Sequence, residues 1–393
     1  DTSWLSTGVN GTTTRHSMRL VNSRFSEEKQ FFWDERADNL EVQTTMPIKD
    51  HVEMGYSGTE GDPTFQDLLD KLDTVSYYND LFYLAYGDTT ITELKMQKAL
   101  AQFIRSIQSF DSPYDEGRDQ VGNDLQPFQN YCNQENLGKT LFMTQPVFDN
   151  NGTRTSGGFG CASCHRPPEF DMDPNTKSNG ILFTAMNTTA AGGIDTVVFR
   201  SPSIRDLVNP DGELNGRLMH TGNFINLNQV LNHYDGINLF PKAPGVGVVI
   251  DERLVPNGKP QNLNMTRQER TQIVSFLETL TGKDMYTNSK WSSPFDENGS
   301  ITILNSTFNV AEVAQTINVN IFPNPASDHL VIEGDIQKGI LEILDIEGRV
   351  VLMKKTMLPR SLIFLTSLEN GNYFVRLKNS RGNIYAVQKI VKN

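Results

Sequence analysis

The sequence predicts two architectures in one chain, a mainly α region with long loops followed by a small all-β sandwich. Three observations carry this reading. Up to about residue 285, apolar residues recur at helical spacing behind capping residues. From about Thr302 the pattern turns alternating and β-branched. Between the two, residues 286–315 are polar, lack sustained periodicity and read as a linker. With 37% hydrophobic and 21% charged residues the composition is that of an ordinary globular chain. Its length allows roughly two to three domains of about 150 residues each.

The elements follow in order. Residues 91–107 predict a helix, with Thr90 and Glu93 as a capping box and Leu100, Phe103, Ile104 and Ile107 on one face. Asp111-Ser112-Pro113-Tyr114 then ends it. A short helix is expected over 134–142, followed by a loop rich in Asn, Gly and Thr. Asn226 can cap a helix with Gln229 at its third position, and Leu227, Val230, Leu231 and Tyr234 share a face of it. Thr266 and Glu269 form a further capping box ahead of Ile273, Phe276, Leu277 and Leu280, with Gly282 as the expected C-terminal cap. Strands are expected at 319–322, 330–332, 340–346, 350–352, 361–365, 373–377 and 385–391, with Glu347-Gly348 as a hairpin turn.

Thirty-five Lys and Arg against 47 Asp and Glu give a formal net charge of −12, which argues against nucleic acid and anionic membranes as partners. No run reaches the roughly 18 consecutive apolar residues of a transmembrane helix. The chain begins at Asp1 without a signal peptide, so a mature form or a fragment is expected. Three cysteines are too few for a disulfide scaffold.

Two of those cysteines form Cys161-Ala162-Ser163-Cys164-His165, the C-x-x-C-H signal of covalent c-type haem attachment. Both thiols must meet one porphyrin edge while the adjacent imidazole reaches the iron. A zinc half-site would want a second ligand pair, and Cys132 is the one cysteine left, without a nearby His. A redox dithiol would want a βαβ setting, whereas Gly157 to Gly160 upstream form a loop. For the sixth iron position Met219, His220, His233 and Tyr234 are all chemically suitable, and spacing does not choose among them.

Further segments carry a family resemblance. Phe31-Phe32-Trp33-Asp34-Glu35-Arg36-Ala37, Pro47, Val52-Glu53-Met54-Gly55, Phe103-Ile104-Arg105-Ser106 and Ser109-Phe110-Asp111-Ser112-Pro113-Tyr114-Asp115 belong to this set. So do Phe199-Arg200-Ser201-Pro202-Ser203-Ile204-Arg205 and Leu218-Met219-His220-Thr221-Gly222. Together with the haem motif, and over roughly residues 1–285, they resemble the bacterial di-haem cytochrome c peroxidases and their MauG-like relatives. The resemblance implies cytochrome c-like haem domains: residues 1–120 as the remainder of an N-terminal peroxidatic domain and 121–285 as the C-terminal haem domain. The family carries two C-x-x-C-H motifs and this chain one, so a truncation ahead of residue 1 is expected, with a second haem in the complete protein. By the resemblance, Trp33 lies between the haems and passes electrons, and Glu53 is the acid/base of peroxide cleavage. Taken alone they would read as an aromatic core residue and a surface carboxylate. The resemblance also implies an interdomain calcium ion, although His16 stands where the family usually has Asn. No His occurs in 5–11, where many relatives carry one that must leave the iron. Tyr234 falls where the electron-transfer haem usually has an axial Met, as in the MauG-like branch.

Phe322-Pro323-Asn324-Pro325-Ala326, Gly348-Arg349-Val350, Gly371-Asn372-Tyr373-Phe374-Val375 and the closing Lys389-Ile390-Val391-Lys392 resemble type IX secretion sorting domains over 316–393. The expected whole is an exported peroxidase, passing the periplasm toward the cell surface or medium. It would take hydrogen peroxide and a small donor cytochrome or cupredoxin as partners. A MauG-like oxidase of protein side chains and a non-catalytic electron carrier are the alternatives. The single motif makes a direct prediction: haem-stained denaturing gels and intact mass will show at most one covalent haem on this chain, and two would contradict it.

Overall fold

Hydrogen bonds between neighbouring residues start most helices of this chain. The computed structural model describes residues 4–172, 174–181, 200, 202–237, 250–302, 319–334, 339–345, 348–356, 360–378 and 384–393. Contacts divide the chain into two units, Asp1–Ile303 and Leu304–Asn393.

In the first unit, α1 (Leu40–Lys49) is capped by Asn39, α2 (Phe65–Asp73) by a Thr64/Asp67 box, and α3 (Ser76–Tyr86) ends at Gly87. Helix α4 (Glu93–Ser106) begins at Thr92, whose hydroxyl accepts from Lys95, so the cap is two residues later than Thr90. Its expected apolar face also turns out differently. Leu100 and Phe103 are 37% and 51% exposed, and the buried residue is Ala101. Polar contacts set the inner face instead. Arg105 grips Glu41 of α1 with two hydrogen bonds at 2.5 and 2.8 Å, while Thr45 of α1 meets Glu93 and Gln97. Residues 93, 97, 101 and 105 form one i, i+4 row. The segment expected to end this helix starts the next, because Ser112 and Asp115 cap α5 (Pro113–Arg118) reciprocally.

Helix α6 (Asn133–Met143) leads into the hairpin β1 (Pro146–Phe148) and β2 (Arg154–Gly157). The two-residue strands β3 (His165–Arg166) and β4 (Asp171–Met172) pair next. Then come α7 (Leu227–Asp235), capped by Asn226, and α8 (Arg267–Glu278), capped by the Thr266/Glu269 box. Helix α8 ends at Thr279 rather than Gly282. Gly282 serves close packing: its N–H donates to Asp206 at 3.0 Å, and a Cβ there would strike Ser109 and Asp111. Tyr114, Phe128, Phe142, Phe170 and Phe276 form the aromatic heart of the core, and Cys161 and Ala162 pack against it. After α9 (Asp284–Thr287) the polar stretch stays on this unit. Trp291 donates to Ser106 at 3.2 Å, and Phe295 meets Tyr77 ring to ring.

Every strand pair of the second unit is antiparallel, and one isolated parallel bridge joins Ala326 to Lys392. Strands β5 (Val319–Phe322), β6 (His329–Gly334) and β9 (Arg360–Phe364) make one sheet, in the order 5-6-9. The other sheet is formed by β7 (Gly339–Leu344), β8 (Val350–Thr356), β10 (Gly371–Lys378) and β11 (Ile384–Lys392), in the order 11-10-7-8. One apolar cluster draws Ile321, Leu330, Ile332 and Ile363 from the first sheet and Leu341, Ile343, Val375, Leu377 and Ile390 from the second. Gly348 takes a φ of 80° in the β7–β8 turn; Glu347 lies outside the described residues.

The crossing of α6 and α8 depends on Gly138, where a Cβ would overlap the Gln272 carbonyl and press on Phe276. Gly138→Ala should lower stability by about 1–3 kcal/mol, the usual range for overpacking. Denaturant unfolding will read this as a lower midpoint at unchanged slope, and an unchanged midpoint would contradict it.

Candidate haem site

A glycine loop pins the C-x-x-C-H turn to the end of α6. Phe159 donates to the Leu141 carbonyl at 2.7 Å and Gly160 to that of Thr144 at 2.9 Å. Gly158 must be glycine because a Cβ would strike both carbonyls, and Gly160 adopts a φ of 67°. Cys161–Ser163 then forms one 3₁₀ turn, closed by Cys164 N–H to the Cys161 carbonyl at 3.1 Å. Arg253 anchors this turn from outside. It donates to the Ser163 carbonyl at 2.6 Å and is held by the buried Asp251 at 2.7 Å.

Neither cysteine is in a disulfide. Burial, followed by the neighbouring Cys164, pushes the Cys161 thiol up to about 12. Burial pushes the His165 imidazole down to about 4, so it is neutral at physiological pH, the state in which imidazole binds metal. Its Nδ1 is buried without a hydrogen-bond partner, although the nearby Phe170 carbonyl favours the protonated ring. Two thiols one turn apart, beside a neutral histidine with an unsatisfied ring nitrogen, fit a covalently attached haem.

Three of the four candidates for the sixth position meet at Asn179, and the fourth, His220, faces Trp33. Tyr234, near the end of α7, feels both cysteines electrostatically, and burial drives its phenol well above its ordinary pKa. Its oxygen accepts from Asn179 at 3.3 Å, and Met219 Sδ accepts from the same nitrogen at 3.7 Å. Nε2 of His233 pairs with the Asn179 carbonyl at 2.9 Å. His220 is buried with its ring 6.0 Å from that of Trp33.

Trp33 is half-buried and donates from Nε1 to the His16 carbonyl at 2.7 Å, while the His16 N–H donates to the His220 carbonyl at 2.7 Å. Its loop is sharply bent, with φ of 70° at Phe32 and 57° at Glu35. Asp34 braces the bend between Arg15 at 2.6 Å and Arg36 at 2.8 Å. Burial would raise the Asp34 carboxyl, but these two hydrogen bonds prevail and hold it below its ordinary value. His16 Nδ1 is engaged with the Trp4 carbonyl at 2.9 Å.

Glu53 is half-buried beside the Gly8–Gly11 turn, its carbonyl accepting from Val9 at 2.9 Å. Burial and then Asp50 raise its carboxyl, with Arg36 opposing. No hydrogen bond, ion pair or ring contact joins Glu53 to Trp33 or His165 among the described residues. The structure therefore gathers His165, the cysteines and Tyr234, links Trp33 to the 217–222 segment, and leaves Glu53 apart. Among the described residues no group of three or more His, Cys, Asp or Glu is arranged to hold a metal ion. Sequence reasoning passed over Asn179 and Arg253. Neither sits in a motif, and their roles come from contacts between segments distant in the chain.

Residues 1–121 match the family model of di-haem cytochrome c peroxidase, and residues 320–393 that of the secretion system C-terminal sorting domain. The methylamine utilization protein MauG of Methylorubrum extorquens is 30% identical over 264 residues, covering 64% of this chain and 60% of that protein. The MauG of Methylophilus methylotrophus is 24% identical, covering 68% of each. The cytochrome c551 peroxidase of Nitrosomonas europaea is also 24% identical, covering 64% of this chain and 61% of its own length. The chain thus spans about three fifths to two thirds of these relatives. A crystal structure of a MauG-like protein associated with microbial copper homeostasis shares the fold, with a TM-score of 0.53 at 20% identity, covering 75% of this chain and 83% of that one. The chain joins a di-haem cytochrome c peroxidase family domain, residues 1–121, to a secretion system C-terminal sorting domain, residues 320–393.

Proposed function

We propose that this chain is part of an exported di-haem oxidoreductase that reduces hydrogen peroxide to water with electrons from a small cytochrome or cupredoxin. The observation that carries the reading is the meeting of Cys161, Cys164 and neutral His165 with the Tyr234 phenol. When bound, haem supplies a one-electron iron couple at this site. Cys161 and Cys164 would hold its edge, and His165 and Tyr234 would bind its iron. Arg253 ties the turn to Asp251 through the Ser163 carbonyl. Trp33, with its ring against His220 and its Nε1 fixed by the His16 carbonyl, supports a role in carrying electrons away from this site. A second covalent haem, held by a segment outside residues 1–393, would be the peroxidatic one, with Glu53 above it. The raised carboxyl of Glu53 suits a group that gives up and takes back a proton. The interdomain calcium remains part of this reading on the family resemblance.

The two regions are read as mainly α haem domains, 1–120 and 121–285, and a β-sandwich, 316–393, that addresses the protein to type IX secretion. On that reading it crosses the periplasm and reaches the cell surface or medium. No helix among the described residues is long and apolar enough to cross a membrane.

A second reading, MauG-like oxidation of protein side chains, draws on Tyr234. A phenolate is a hard anionic ligand and favours the higher iron oxidation states. Turnover separates the two: a peroxidase consumes peroxide steadily with a reduced small cytochrome. In the di-haem form, Glu53→Gln should slow peroxide cleavage by about 10²–10⁴-fold with both haems still attached. A wild-type rate in stopped-flow would remove Glu53 from the chemistry.

A further inference from the structure

Asn179 belongs to no motif, yet it lies where the candidate sixth ligands meet. Its side-chain amide has one possible orientation. Oδ1 accepts the Ile181 backbone N–H at 3.1 Å, so Nδ2 points the other way. That nitrogen carries two hydrogens. It reaches the Tyr234 oxygen at 3.3 Å and Met219 Sδ at 3.7 Å. The backbone carbonyl of Asn179 engages His233 Nε2 at 2.9 Å, which ties this loop to α7 and occupies that imidazole.

The two acceptors are presented by unlike elements. Tyr234 stands on the regular helix α7. Met219 sits on a tight turn with a φ of 64°, in the left-handed region that a methionine rarely adopts, closed by Gly222 N–H to the Met219 carbonyl at 3.1 Å. One amide thus serves a hard oxygen and a soft sulfur, both able to bind iron.

We propose that Asn179 selects Tyr234 over Met219 as the sixth ligand of the iron held by His165, by donating its amide N–H to the phenolate oxygen. The inference rests on the haem reading above and deepens it. An N–H donated to an anionic oxygen is about twice as strong as one donated to a neutral acceptor. Thioether sulfur is a weak acceptor, so the shared donor favours the phenolate. Asn179 is a positioning residue, acting through Tyr234. Because phenolate favours ferric iron and thioether sulfur suits the softer ferrous state, the same bond holds the reduction potential down.

The test uses the haem-loaded chain with Asn179→Ala and the isosteric Asn179→Asp, which keeps the acceptor for Ile181 but loses the donor. Ferric absorption, electron paramagnetic resonance and spectroelectrochemical titration are the readouts. Losing a hydrogen bond to a charged group should shift the balance toward Met219 by about tenfold to a hundredfold. The ferric spectrum should gain thioether character and the potential should rise. Adding Met219→Leu should abolish the thioether signature although Asn179 is still missing. Asn179→Gln, which retains an amide donor, should restore part of the phenolate spectrum. A phenolate spectrum and potential unchanged in either Asn179→Ala or Asn179→Asp, at wild-type haem content, would overturn the proposal. A wild-type chain without covalent haem on a haem-stained gel would refute the haem reading itself, and the two failures are therefore distinguishable.

Discussion

One buried guanidinium holds together the parts of the first unit that matter for the site. Arg205 is fully buried and makes two parallel hydrogen bonds to Asp115 at 2.8 Å each. It also donates to the Pro168 carbonyl at 2.8 and 2.6 Å and lies over Phe110, Tyr114 and Phe170. Asp115 is on α5, whereas Pro168 and Phe170 lie on the connection between β3 and β4, the ribbon that begins at His165. The guanidinium therefore fixes the strand of His165 against α5. Its geometry explains why arginine stands here: a planar fork matches a carboxylate and still has hydrogens for a carbonyl. Losing either partner would leave a buried charge unpaired, at about 3–5 kcal/mol.

With the His165 strand fixed in this way, Asn179 brings Tyr234 and Met219 together. Tyr234 and Met219 differ in charge, hardness and the oxidation state they prefer, and the chain brings both to one loop residue. The family comparisons span both outcomes, since relatives named MauG and a cytochrome c551 peroxidase match at 24–30% identity.

Local signals were legible in the sequence. The Thr266/Glu269 box and the Asn226 cap are hydrogen bonds within four residues, and both form as read. The C-x-x-C-H turn is equally local. The α4 cap moved from Thr90 to Thr92 because two threonines compete ahead of Glu93, and tertiary contacts of Glu93 with Thr45 and Lys49 favour the later start. The exposed Leu100 and Phe103 show an apolar stripe overruled by an ion pair between Arg105 and Glu41. What could not be read was long-range. Asn179 gains its meaning from residues 40 and 55 positions away, and Arg205 from one 90 positions away.

On the proposed function, His165 and Tyr234 would both bind the iron of a haem joined to Cys161 and Cys164. The most direct measurement is the ferric absorption spectrum and reduction potential of the haem-loaded chain with and without Tyr234→Phe. Loss of a phenolate-to-iron charge-transfer band together with a higher potential is the predicted result. An identical spectrum and potential in the variant would contradict the account and return the sixth position to Met219, His220 or His233.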